Sequence, residues 1–369
     1  MPNFRPNVLR MEPYTPGKPI SEVQRELGLD RVVKLASNEN PLGPSPKAVA
    51  AVKAAAESMN LYPDGAAYEL KVALADHFGM PESTVMIGNG SDELIHLLGL
   101  VYLDGPNDEM IVGDPSFVRY DAAAYLAPSK LIKVPLDAEY RHDLDAMAAA
   151  VTEHTKLLFI ANPNNPTGTI IQKERLVAFL KGLPKHVTVV LDEAYFEFAA
   201  ALPEFPVSTD LIRDGYNVIG LRTFSKTYGL AGIRVGYGFA APDVIDAINR
   251  AREPFNVNSL AQVAAIAALQ DEAHIERTIE INQRGLARIA DALAAVGVTP
   301  YPSHANFVFA DLHRPAAPIF QALLRKGVII RAGDMFGTPS CVRISVGTDE
   351  EVTFFIEKLN EVIQESAQP

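Results

Sequence analysis

Residues 45–58 read SPKAVAAVKAAAES, 84–88 TVMIG, 91–102 SDELIHLLGLVY and 109–114 EMIVGD. The first and third repeat apolar residues at helical spacing, and the second and fourth are short apolar runs of strand length, so helix and strand alternate from about Ser45 onward. The rhythm continues in KLIKVPL (130–136), TKLLFIAN (155–162), HVTVVLDEAY (186–195), YNVIGLRTFS (216–225) and VGYGFAA (235–241), most of them separated by a helical stretch. Strands apolar on both faces suit a mostly parallel sheet between helices, which predicts an α/β fold. Beyond it, residues 272–296 read as one long helix stopped by Gly297 and Pro300. NFVFAD (306–311), VIIRAG (328–333) and CVRISV (341–346), with helices near 316–326 and 349–365, then form an α+β pattern. The expected division is an N-terminal arm over 1–44, a large domain over 45–271, and a connecting helix with a small domain over 272–369, which the arm joins.

A chain of 369 residues exceeds what one core usually holds, and 48% hydrophobic with 21% charged residues is a globular balance. The net charge of -12 argues against a nucleic-acid or anionic-membrane surface, so an anionic ligand must be held by a few local arginines. Cys341 is the single cysteine, which removes a disulfide framework and a cysteine-rich metal site. No run reaches the roughly 20 apolar residues of a membrane span. The proline-rich residues 1–18 contain Arg5 and Arg10 without an apolar core and do not read as a secretory signal. A soluble, cytoplasmic protein without metal is expected.

The chemistry gathers in loops that follow strands. In Gly88-Asn89-Gly90-Ser91-Asp92-Glu93 the amides of Ser91 and Asp92 open a helix and can bind a phosphate, although Glu93 stands where a dinucleotide fingerprint needs glycine. An ordinary strand-to-helix turn fits this segment as well. Asn162-Pro163-Asn164-Asn165-Pro166-Thr167-Gly168 puts two prolines and a glycine into seven residues, a rigid backbone at a strand's carboxyl end, where open α/β sheets bind ligands, although a structural turn fits the motif by itself equally well. Asp192, after VTVVL, is a carboxylate that is costly to bury unless a cation meets it, and no histidine at ligand spacing supports a metal there. A plain helix N-cap would also account for it. Thr223-Phe224-Ser225-Lys226-Thr227 nearly imitates a nucleotide P-loop, but Ser225 occupies the second glycine's place. A lysine after a buried strand with Arg234 downstream suits Schiff-base formation, because desolvation and nearby cations lower its pKa.

Together these loops offer an amine for an aldehyde, an acid for a pyridinium, donors for a ring oxygen and a phosphate cup. With Ser37-Asn38-Glu39-Asn40-Pro41-Leu42-Gly43-Pro44, SHANFVF (303–309) and Cys341-Val342-Arg343-Ile344-Ser345-Val346-Gly347, the chain resembles the fold type I pyridoxal phosphate aminotransferases along nearly its whole length. The resemblance implies a mostly parallel seven-stranded-type sheet, and pyridoxal 5′-phosphate carried on Lys226. It implies that Asp192 pairs with the ring nitrogen, Tyr195 and Asn165 with the ring oxygen, and that Phe117 stacks on the ring. The phosphate falls to Ser91, Asp92, Thr223, Ser225 and Arg234, and to Tyr62 of the neighbouring subunit in a homodimer. Arg343, helped by Arg331, Tyr14 and Asn38, is implied to bind the glutamate carboxylate in one half-reaction and the phosphate of histidinol phosphate in the other. Action on aromatic amino acids, decarboxylation of phosphothreonine and a non-catalytic ligand sensor stay open as alternatives.

Overall fold

The computed structural model describes residues 4–11, 13 and 17–366. Its strands in chain order are β1 (Val33–Lys34), β2 (Val85–Gly88), β3 (Glu109–Asp114), β4 (Lys130–Pro135), β5 (Thr155–Ala161), β6 (Thr188–Asp192), β7 (Val218–Thr223), β8 (Gly236–Phe239), β9 (Thr299–Pro300), β10 (Phe307–Asp311), β11 (Val328–Ile329), β12 (Arg331–Ala332) and β13 (Cys341–Ser345). β2 through β8 build one seven-stranded sheet in the order β2-β8-β7-β6-β5-β3-β4. Its pairs from β7 across to β4 are parallel, and β8 runs antiparallel to both β7 and β2.

Helices cover both faces of this sheet, which is why its inner strands read as continuous apolar runs rather than as alternation. Successive side chains of β5 and β6 go to opposite sides. Leu157, Phe159 and Val190 join one apolar cluster with Leu94, Leu98 and Tyr120. Leu158, Ile160, Val189 and Leu191 join another with Leu176 and Leu180. Each such side chain, fully buried, contributes about 1.5–3 kcal/mol of apolar burial. The helices are signed locally: Ser45 accepts a bond from the Ala48 amide at the head of Pro46–Ala55, whose first residue is proline.

A four-stranded antiparallel sheet, β12-β13-β10-β9, has its own core. β1 pairs in parallel with β11, and Val33 and Leu35 enter that core beside Val308, Ile344 and Phe355. The helix Glu272–Ala295 buries Thr278, Asn282, Gly285, Ile289 and Leu293, a three-and-four spacing that keeps one stripe inward. Among the described residues no helix is long and apolar enough to cross a membrane. Because the parallel strands share one direction, β2, β3, β5, β6 and β7 deliver their carboxyl ends to a single edge of the sheet.

Candidate active site

At that edge a cavity of about 990 Å³ opens between the large sheet and the small one. Its lining includes Ser91, Asp92, Phe117, Asn165, Asp192, Tyr195, Thr223, Ser225, Lys226 and Arg234 from the loops after the strands. Asn38, Arg331 and Arg343 line the same cavity, so residues 38 to 343 in sequence meet in one place. Tyr62 does not: it is 84% exposed and stacks on Phe255 at 4.9 Å. Tyr14 lies outside the described residues.

The carboxylate at the end of β6 is buried, and it finds hydrogen bonds rather than a cation. Tyr120 donates its hydroxyl to Asp192 Oδ2 at 2.7 Å, and the Ala194 amide donates to Oδ1 at 3.1 Å. Burial pushes the carboxyl up to about 6, against those two bonds. Among the described residues no Lys, Arg or His forms an ion pair with it, so a cation brought by a ligand has a place prepared for it.

Lys226 follows β7 and is the reciprocal case. Burial lowers its amine to about 8, and the Arg343 and Arg234 guanidiniums add to the effect while Glu39 and Asp92 oppose it. Such an amine is a nucleophile and a base near neutral pH.

The loop after β2 brings a helix N-terminus to the cavity. Gly90, with φ of 79°, caps the helix Ser91–Tyr102, whose first residues Ser91 and Asp92 line the cavity. β8 passes so close beneath that a Cβ on Gly236 would stand 2.4 Å from the Ser91 nitrogen. Arg234, itself at φ 64°, has Nη2 3.6 Å from Asp92 Oδ2. The Thr223 hydroxyl donates to Ser225 Oγ at 3.0 Å and accepts from the Ser225 amide at 3.1 Å.

Across the cavity, β12 and β13 pair Arg331 directly with Arg343. Both guanidiniums are buried and both donate to the Ala36 carbonyl, at 3.2 Å from Arg331 Nε and 2.9 Å from Arg343 Nη2. Arg343 Nη1 also donates to Asn165 Oδ1 at 2.6 Å. Two cations side by side in a cavity wall make a receptor for an anion.

Asn38 is 2% exposed and sits at φ 53°, a left-handed backbone that a short polar side chain tolerates. Its Nδ2 donates to Tyr195 Oη at 2.9 Å, and Ser345 Oγ donates to its Oδ1 at 2.7 Å. Asn306 Nδ2 fixes the Asn38 carbonyl at 3.1 Å. Phe117 meets Tyr120 edge to face at 5.7 Å and leaves one flank to the cavity. Sequence reasoning missed Tyr120, Ser345 and Asn306. Tyr120 is an aromatic within an alanine-rich helix that follows the Phe117 turn, a weak signal; the other two lie in the motifs SHANFVF and CVRISVG, but their contact with Asn38 shows only in the fold.

The cavity thus holds a lysine with a lowered pKa, a buried carboxylate, a helix N-terminus and a paired-arginine wall. The family model for aminotransferase class I and II matches residues 30–359, and the chain belongs to that family. It is 50% identical over 364 residues to a histidinol-phosphate aminotransferase of Moorella thermoacetica, covering 98% of this chain and 94% of that one. It is 47% identical to a histidinol-phosphate aminotransferase of Symbiobacterium thermophilum over 366 residues, 99% of this chain and 100% of the relative. The crystal structure of histidinol-phosphate aminotransferase from Sinorhizobium meliloti in complex with pyridoxal-5′-phosphate superposes with a TM-score of 0.91 at 31% identity, over 100% of this chain and 99% of that one. The fold is accordingly the mixed α/β fold of fold type I aminotransferases, as its sequence resemblance implies.

Proposed function

We propose that this aminotransferase uses pyridoxal 5′-phosphate to interconvert histidinol phosphate plus 2-oxoglutarate and imidazole acetol phosphate plus glutamate, a step of histidine biosynthesis. One observation carries the proposal: the Lys226 amine, the Asp192 carboxylate and the Arg331–Arg343 pair line one cavity. The residues fit the cofactor, because among the described residues no cation pairs with the buried, hydrogen-bonded Asp192, and the close approach of Gly236 to Gly90 and Ser91 sets β8 against the helix N-terminus whose amides would take a phosphate.

When bound, the cofactor supplies an aldehyde that takes up amines and a ring that withdraws electrons from the substrate's α-carbon. The amides of Ser91 and Asp92, with Thr223, Ser225 and Arg234, would hold its phosphate. Asp192 would hold a proton on the ring nitrogen, Tyr195 and Asn165 would bond the ring oxygen, and Phe117 would cover the ring face. Lys226 Nζ would anchor the aldehyde between turnovers and, once released, take the proton from the substrate's α-carbon and return it. Asn38 orients the Tyr195 hydroxyl for its task. Arg343 would clamp the glutamate carboxylate and then the histidinol phosphate ester, since a guanidinium fork matches both anions. Arg331 and Tyr14 would assist it.

The same proposal includes a large domain over 45–271, a connecting helix with a small domain over 272–369, and an arm over 1–44. It also includes a cytoplasmic homodimer in which Tyr62 meets the cofactor phosphate of the other subunit. Met59, Leu61 and Tyr62 are 64%, 66% and 84% exposed, which supports a covered face there. Steady-state assays with histidinol phosphate, phenylalanine and phosphothreonine rank the substrates. The highest kcat/KM is expected for histidinol phosphate, and a far higher value for phenylalanine overturns the choice. Light scattering on the purified protein is expected to give twice the chain mass.

A further inference from the structure

Behind the edge that carries Asp192 and Lys226 lies a second polar cluster, sealed from the cavity. Glu193 follows Asp192 at the end of β6, and Arg222 precedes Thr223 in β7. Arg222 is 0% exposed, and its Nε donates to Glu193 Oε2 at 2.8 Å. Glu193 accepts two more bonds, from the Ser208 amide at 2.8 Å and the Ser208 hydroxyl at 2.6 Å. The guanidinium carbon lies 3.4 Å from the ring centre of Phe196 and 4.7 Å from that of Phe78. A cation set against two aromatic rings and tied to a hydrogen-bonded carboxylate is a rigid anchor, because moving either partner strands a charge in the interior.

Glu197 shares this compartment, four residues beyond Glu193 and on the helix Phe196–Ala199. Its Oε2 accepts from Thr227 Oγ1 at 3.2 Å, and its Oε1 is buried with no hydrogen-bond partner. Arg222 from β7, Tyr228 from the lysine loop and Tyr237 from β8 also face it. Burial pushes its carboxyl up to about 7, while its own backbone amide, then Arg222 and the Thr227 and Tyr228 hydroxyls, pull the other way. Thr227 is the residue after Lys226, and its carbonyl accepts a hydrogen bond from Asn40 Nδ2 at 2.8 Å.

We propose that Glu197 is a positioning residue: by gripping Thr227 from the segment that follows Asp192, it sets where Lys226 Nζ stands relative to the Asp192 carboxylate. The role rests on Lys226 and Asp192 serving one bound cofactor, as proposed above. Those two groups act on opposite ends of the same small ring, and they arrive on separate loops after separate strands. Glu193–Arg222 fixes the two strand ends to each other, and Glu197–Thr227 carries that registration one step further, onto the lysine. Neither bond touches the cavity, so loss of the second leaves substrate binding intact and misplaces the amine.

The test compares wild type with Glu197→Ala, Glu197→Gln, Thr227→Val and Thr227→Ser as holoproteins, with Lys226→Ala as the control for the covalent link. Readouts are the kcat and KM split, and the pH midpoint of the visible absorbance of the lysine-bound cofactor. Glu197→Ala and Thr227→Val are each expected to lower kcat about tenfold with donor KM within about twofold, and to move the midpoint by about half a pH unit. Glu197→Gln and Thr227→Ser, which keep the acceptor and the hydroxyl, are expected to recover most of both. Folded Glu197→Ala and Thr227→Val with wild-type kcat and midpoint overturn the role, whatever their melting temperatures. If Glu197→Ala does not fold, the Thr227 pair decides alone. A wild-type protein that never colours with the cofactor overturns the functional proposal and this role with it; coloured wild type with unaffected variants overturns this role only.

Discussion

Tyr120 Oη stands 2.7 Å from Asp192 Oδ2, so the acid at the end of β6 is held by a neutral hydroxyl from the helix Arg119–Leu126, across the sheet's edge. That bond and the Ala194 amide favour the ionised carboxylate, and burial disfavours it. Tyr120→Phe removes one of the two restraints and raises the carboxyl above its present value of about 6. A hydrogen bond to a charged group is worth about 1.5–3 kcal/mol, so kcat at neutral pH is expected to drop roughly tenfold or more. The acid limb of the kcat profile is expected to move to higher pH. A Tyr120→Phe enzyme with an unshifted limb would show that the hydroxyl does not tune Asp192. Asp192→Ala is expected to lose more than Tyr120→Phe in kcat while KM changes little.

Lys226 imposes a stability cost before any cofactor binds. Its folded pKa, about 8, lies below the value of 10.5 for a free lysine, so the native state binds the proton less well than the unfolded chain. The stability contribution is present above the unfolded pKa and is lost as pH falls through the folded one. Lys226→Met in cofactor-free protein is therefore expected to raise stability at pH 7 by on the order of 1 kcal/mol, allowing for the solvent that reaches a partly exposed amine. The gain is expected to shrink between pH 8 and pH 10.5. Denaturant melts at pH 7 and pH 10 measure it, and an equal gain at both values points to packing instead of charge.

Much of this site is legible in the chain because its parts are local. The lysine, the acid and the helix-opening turn each lie within three residues of a strand's end, and the apolar run before each one announces that end. Parallel pairing then brings the loops together without further information. The small sheet is different. Arg343 sits in a five-residue strand whose neighbour β12 is two residues long, and only the pairing of Arg331 with Arg343 reveals that the two cations share a wall. Arg222 and Glu193 escape for a related reason. Each reads as a charge beside a more eventful neighbour, and their 2.8 Å bond depends on the register of β6 with β7, which no local pattern encodes.

Arg343 reaches Asn165 Oδ1 with one terminal nitrogen and the Ala36 carbonyl with the other, so the guanidinium is locked flat before a ligand arrives. Arg343→Lys keeps the charge and gives up the fork. An ammonium cannot bond both carbonyl oxygens and still present two parallel donors to a carboxylate. KM for glutamate is expected to rise about 10- to 100-fold, with a smaller change in kcat. Unchanged KM values for both glutamate and the phosphorylated substrate would remove Arg343 from the anion site.

Gly236 separates a packing effect from a chemical one. It touches no ligand in the scheme above, yet an added Cβ would stand 2.4 Å from the Ser91 nitrogen and 2.6 Å from the Gly90 carbonyl carbon. Both neighbours are backbone, so the head of the helix Ser91–Tyr102 has to move, and overpacking of this kind costs about 1–3 kcal/mol. Gly236→Ala is expected to weaken cofactor binding by about 10- to 100-fold, with kcat recovering at saturating pyridoxal phosphate because the lysine and the acid stay where they were. Gly232 has nothing within 4 Å of its would-be Cβ, and Gly232→Ala is the matched control. Equilibrium titration of cofactor-free protein gives both constants. Equal dissociation constants for Gly236→Ala and wild type would mean that the first amides of this helix do not carry the phosphate.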